Sequence, residues 1–175
     1  MARFTVDNKH YLAIAQFYGC RRTQRSQVPL IAHVDEGLAI LDAIGASTNA
    51  REAFCLHPLL QRDDDLVRSR QPGSILELCS PDPRPLMLAM EYRRCANAYL
   101  SHHFRSEADV VALSAEPEVN DMLVADKVQN RKDFEIHHLH THQDVEILVS
   151  YFGNWLRALG ITEQRYIDLR RILVG

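Results

Sequence analysis

Ala53-Phe54-Cys55-Leu56-His57-Pro58-Leu59-Leu60-Gln61 is an apolar run with one histidine at its centre and a proline directly after it. It reads as the later half of a helix. Ser47 or Thr48 can cap the start, and Ala53, Phe54, Leu56 and Leu60 form the apolar side. Pro58 has no N–H and its ring opposes the carbonyl of Phe54, so a break or kink is expected there. Alternatively Pro58 opens a new short helix, where its missing donor costs nothing. His57, the residue before proline, is biased away from the helical region. Arg62-Asp63-Asp64-Asp65 follows as an acidic cluster on the next turn.

Helical periodicity continues outward in both directions. Upstream, residues 8–22 carry Tyr11, Leu12, Ile14, Ala15 and Tyr18 at helical spacing. A basic loop, 21–28, closes at Pro29. A helix from Leu30 then puts Ile31, Val34, Leu38 and Leu41 on one face, with His33 beside it, and Gly45 ends it. Downstream, the five prolines and glycines of 69–85 predict a long loop, with a short helix at Ile75–Leu78. Helices are expected from Leu86 to His103, from a Ser106 cap to Leu113, and from Pro117 to Phe134 or His138. Thr141 to Asp144 resembles a capping box for a helix through Val145, Leu148, Phe152, Trp155 and Leu159, and Thr162-Glu163 starts the last one. No alternating strand pattern competes. The prediction is an all-α single domain, 1–175, of about seven to nine helices.

Composition excludes several classes of function. Hydrophobic residues make up 46% of the 175 and charged residues 25%, enough for an ordinary buried core. A net charge of −3 gives no basis for binding a nucleic-acid polymer or a membrane surface. No apolar run approaches the roughly 20 residues that span a bilayer, and no apolar segment follows the basic residue near Met1, so a cytoplasmic protein is expected. Cys20, Cys55, Cys79 and Cys95 are scattered, which fits reduced thiols rather than a disulfide framework.

Three apolar segments carry residues that can ligate a metal: His33, His57 and, in Leu123-Val124-Ala125-Asp126-Lys127-Val128-Gln129-Asn130, Asp126. Two imidazoles and a carboxylate suit Zn²⁺, Mn²⁺ or Fe²⁺ and leave positions open for water and a phosphate oxygen. The run His137-His138-Leu139-His140-Thr141-His142 lacks a carboxylate partner at helical spacing; it reads as a polar helix end or as part of a pocket mouth. Arg93 and Arg94 read as a charged outer face or as phosphate contacts, and Asn97 as a site residue or a core hydrogen bond. Tyr151, Phe152 and Trp155 pack the C-terminal helices; if exposed, they would mark a homo-oligomer contact.

The segments together resemble a family. Arg25-Ser26-x-x-Pro29-x-Ile31-x-His33, Leu56-His57 with Leu59-Leu60, and Val124-Ala125-Asp126-Lys127-Val128-Gln129-Asn130-Arg131 are similar to three motifs of alarmone (ppGpp) hydrolases of the HD superfamily. The separations, 24 residues from His33 to His57 and 69 more to Asp126, also fit that subgroup. The resemblance covers roughly residues 8–140 and implies an HD-like helical bundle. It matches His33, His57 and Asp126 to three of four metal ligands. Asn130 matches a nucleotide contact, and Arg22, Arg25 and Lys127 are the basic residues implied at the phosphates. The implied substrate is a phosphorylated purine nucleotide, hydrolysed with a divalent metal.

The chain departs from the family at two places. Pro58 stands where the fourth ligand, an aspartate, is expected. Gln61 and Arg62 stand where the hydrolases have a glutamate–aspartate pair. Neither can act as a general base at neutral pH. Gln61 is then expected to orient a water rather than deprotonate it. Asp64, seven positions after His57, is the acid that could substitute if the helix restarted in register. The alternative is a catalytically inactive member that binds a nucleotide or a protein.

Overall fold

Helix α3, Thr48–Leu60, runs uninterrupted through Pro58, against the expected break. Two features explain the difference. The Phe54 carbonyl, whose helical donor would be residue 58, accepts instead from His57 Nδ1 at 2.6 Å. Phe54, Leu56 and Leu60 are also almost completely buried. At about 1.5–3 kcal/mol for each such side chain, this burial outweighs the roughly 3 kcal/mol that an internal proline costs. The helix starts where expected: Ser47 Oγ accepts from the Ala50 N–H.

The computed structural model describes residues 8–24 and 26–174. Before α3 come α1, Lys9–Tyr18, and α2, Leu30–Ala43. After it come α4, Asp63–Ser69; α5, Ile75–Cys79; α6, Pro83–Ala98; α7, Pro117–His137; α8, Val145–Ala158; and α9, Glu163–Val174. A 3₁₀ turn, Ser101–His103, follows α6. Among the described residues there are nine α-helices and no strand, only an isolated bridge between Arg22 and Pro29. The chain is one all-α domain. No described helix is long and apolar enough to cross a membrane.

Several boundaries differ from expectation for local reasons. Helix α6 begins at Pro83 rather than Leu86, because prolines in a first turn have no N–H to lose. The expected helix from Ser106 does not form. Asp109 instead accepts from the backbone N–H groups of Arg105 and Ser106 and from the Tyr99 hydroxyl, which holds that stretch as a loop. Asp144 precedes α8, yet its side chain makes no capping bond. Gly45, at φ 72°, provides the left-handed residue that ends α2.

α3 is the central element, packed against α1, α2, α6 and α7. It packs on α2 at Gly37, where a Cβ would lie 2.1 Å from the Phe54 ring. Only a glycine lets that ring sit between the two helices. At the C-terminal end Tyr151, Phe152 and Trp155 are buried, so the aromatics packed there do not form an exposed patch. The four cysteines are free thiols, with only Cys20 exposed.

Candidate metal centre

Three helices each deliver one group to a common point. His33 comes from the first turn of α2, His57 from the last turn of α3 and Asp126 from the middle of α7. Their ligating atoms all lie within 4.8 Å of one another, and they are the one such group of histidine, cysteine and acidic residues among the described residues. The Nε2 atoms of His33 and His57 are 3.2 Å apart, and His33 Nε2 is 3.6 Å from Asp126 Oδ1. His57 and Asp126 are buried, while the His33 side chain is 23% exposed, so the centre meets solvent on the His33 side. The group could hold a metal ion.

The surrounding hydrogen bonds fit that use. A carbonyl oxygen only accepts, so the bond to Phe54 makes His57 Nδ1 the protonated nitrogen and leaves the Nε2 lone pair facing His33 and Asp126. Burial, helped by His33, pushes the His57 pKa down to about 3, which keeps the ring neutral. His33 Nδ1 meets Gln129 Oε1 at 2.8 Å. Metal-binding histidines are oriented in this way by a partner on the other ring nitrogen.

Asp126 is ionised despite its burial. Burial pushes its pKa up, but the Lys127 ammonium, 2.8 Å from Oδ2, and the two histidines outweigh that and hold it at about 2. Oδ1 accepts from Asn130 Nδ2 at 2.9 Å. Lys127 is itself buried, 4.8 Å from the Trp155 ring centroid, and Asp126 keeps its pKa raised although burial alone would lower it. The Tyr92 ring lies 4.8 Å from that of His57; burial, and its hydrogen bond to Asp126, push the Tyr92 hydroxyl pKa well up.

The remaining predicted residues are distributed differently. Lys127 and Asn130 both reach the cluster through Asp126. Gln61 donates from Nε2 to Asn97 Oδ1 at 2.5 Å, and its backbone carbonyl accepts from Asn97 Nδ2. Its Oε1 is buried without a partner among the described residues. Asp64 does not extend the face of His57: α3 ends at Leu60, Arg62 is extended (ψ 153°), and Asp64 is exposed in the first turn of α4. Its register is therefore lost, and it is not in the ligand group. Arg22 is exposed in the α1–α2 loop, with Nη1 on the Gln27 carbonyl. Arg25 lies outside the described residues. Arg93 pairs with Asp63 and Arg94 with Glu91, which makes both part of the charged outer face.

Gln129, Glu36, Asp133 and Tyr92 surround the cluster without having been assigned a role from sequence. A signal for two of them existed: Glu36 is three residues after His33, and Gln129 three after Asp126, each one helical turn away. The fold and site define an all-α domain with a His₂Asp constellation at its centre. No family model, no curated protein and no solved structure matches the chain.

Proposed function

We propose that the protein is an HD-type, metal-dependent phosphohydrolase-like protein that binds or acts on a phosphorylated purine nucleotide of the ppGpp kind. The observation that carries the reading is the meeting of His33, His57 and Asp126 from three helices, with the free Nε2 of His57 directed at the other two. A Zn²⁺, Mn²⁺ or Fe²⁺ ion held by these three supplies Lewis acidity for attack at phosphorus. Lys127 and Asn130 flank Asp126 and orient it. Arg22 and Arg25, which precede His33 in the sequence, supply cations for phosphate oxygens. Gln61 Oε1 is a buried acceptor with no partner among the described residues, which suits it to orient a water but not to take its proton.

A second reading is a catalytically inactive nucleotide-binding or protein-interaction module. Pro58 offers no ligand, the Gln61 amide is tied to Asn97, and the one carboxylate of the centre is already paired with Lys127. Metal content of protein purified without chelators, with turnover of ppGpp, deoxynucleoside triphosphates and nucleoside monophosphates, separates the two. Stoichiometric metal that disappears in His57→Ala, with phosphate release, supports the enzyme. Nucleotide binding without turnover supports the module. Absence of both metal and nucleotide binding overturns the metal-centred reading.

A further inference from the structure

Gln129 is 1% exposed and makes three side-chain hydrogen bonds. Its Nε2 lies 3.0 Å from Glu36 Oε2 and 2.7 Å from Asp133 Oδ2. Ionised carboxylates only accept, so the amide nitrogen must face them. The reverse orientation would set the amide oxygen, an acceptor, against two carboxylate oxygens at 3.0 and 2.7 Å, and leave the buried amide nitrogen facing only a histidine ring. Oε1 therefore faces His33 Nδ1, 2.8 Å away, and can only accept from it. The proton of a neutral His33 is then on Nδ1, and its Nε2 lone pair points at His57 Nε2.

The arrangement is held from both ends. Lys132, 5% exposed, is ion-paired to Glu36 at 2.7 Å and to Asp133 at 2.5 Å, which pins the two carboxylates that orient the amide. His57 is set by an unrelated device, the Phe54 carbonyl. With both rings protonated on Nδ1, two lone pairs oppose each other across 3.2 Å, an arrangement that repels unless a proton or a metal ion lies between them.

We infer that Gln129 is a positioning residue: with its amide oriented by Glu36 and Asp133, it fixes His33 as the Nδ1–H tautomer and presents the Nε2 lone pair to a divalent transition metal. The inference rests on the metal reading proposed above, but its first half, the tautomer, holds without any metal. Gln129→Leu removes the acceptor. Gln129→His restores one acceptor for His33 and one donor for a carboxylate.

The test uses the full chain. Long-range ¹H–¹⁵N spectra of the metal-free protein read the His33 tautomer, and zinc titration against a competing chelator reads affinity. Wild type is expected to show a single Nδ1–H form of His33. Gln129→Leu should lose that single form and weaken zinc binding about 10–100-fold, with Gln129→His recovering most of both. A wild-type His33 protonated on Nε2 overturns the inference, as does a Gln129→Leu protein with an unchanged tautomer and zinc affinity. If Gln129→Leu does not fold, the wild-type tautomer and Gln129→His decide the matter. An Nδ1–H His33 in a protein that takes up no zinc, manganese or iron supports the tautomer half of the inference and overturns its metal half together with the metal reading, so the two failures are distinct.

Discussion

His57 Nδ1 lies 2.6 Å from the backbone carbonyl of Phe54, the carbonyl that Pro58 leaves without its helical donor. The proline and the histidine before it thus form one unit: the hydrogen bond missing from the helix is replaced by the imidazole, and that replacement sets the tautomer of a candidate ligand. Pro58→Ala returns an N–H to the helix and removes a ring from a buried site. A gain of about 1 kcal/mol is expected, since the roughly 3 kcal/mol penalty of an internal proline exceeds the loss from a small cavity. Urea unfolding followed by circular dichroism measures it. A loss of stability would show that the ring's packing, not its missing donor, dominates at this position.

Gly37 and Phe54 define the spacing of α2 and α3. The Phe54 ring centroid is 5.7 Å from that of His33 and 4.5 Å from that of His57, so the ring also walls the metal centre. Gly37→Ala would drive a methyl into that ring. The expected cost is about 1–3 kcal/mol in denaturant unfolding, together with weaker zinc binding as the two histidines separate. A Gly37→Ala protein as stable as wild type would mean that the helices part without penalty.

Lys127 and Asp126 form a buried ion pair, each side chain under a tenth exposed. Lys127→Met takes away the ammonium that faces the buried carboxylate. The metal-free protein should lose about 3–5 kcal/mol, as is usual when one member of such a pair is removed. Zinc should then recover part of the loss, because it returns positive charge to Asp126. Differential scanning calorimetry with and without zinc reads both effects; a melting temperature insensitive to zinc in this variant would count against the metal centre.

His10 offers a pH test away from the centre. It is fully buried, Nδ1 is 3.2 Å from Asn8 Oδ1, and Nε2 has no partner among the described residues. Asn8 Nδ2 donates to Glu52, so its oxygen faces the ring and Nδ1 carries the proton. Burial lowers the His10 pKa, an effect the nearby Glu52 charge only partly offsets. A folded pKa below the unfolded value of about 6.5 means that the unfolded chain binds the proton more readily. The stabilisation is therefore complete above about pH 6.5 and is lost as pH falls, with a slope of at most about 1.4 kcal/mol per pH unit. His10→Phe should flatten the stability profile between pH 6.5 and 5. An unchanged profile would show that His10 titrates normally.

Much of the fold was legible because helices are specified locally. Ser47 at the N-cap, Pro117 in a first turn and Gly45 after α2 act within four residues of where they stand. The same short reach explains the failures. Pro58 was read by the rule for an isolated helix, and the Ser106 stretch by the rule for an uncaptured serine. In each case a side-chain hydrogen bond that the rule does not contain, from His57 or to Asp109, decided the outcome.

The sequence by itself determined the all-helical architecture and the chemical types at the centre, two imidazoles and a carboxylate on apolar segments. It could not determine what turns those groups toward one another. The bond from His33 to Gln129 closes across 96 residues, and that from Gln129 to Glu36 across 93. No helical period relates residues so far apart. Only the packing of α7 on α2 brings the amide between a histidine and two carboxylates, and only there does its orientation have a single solution.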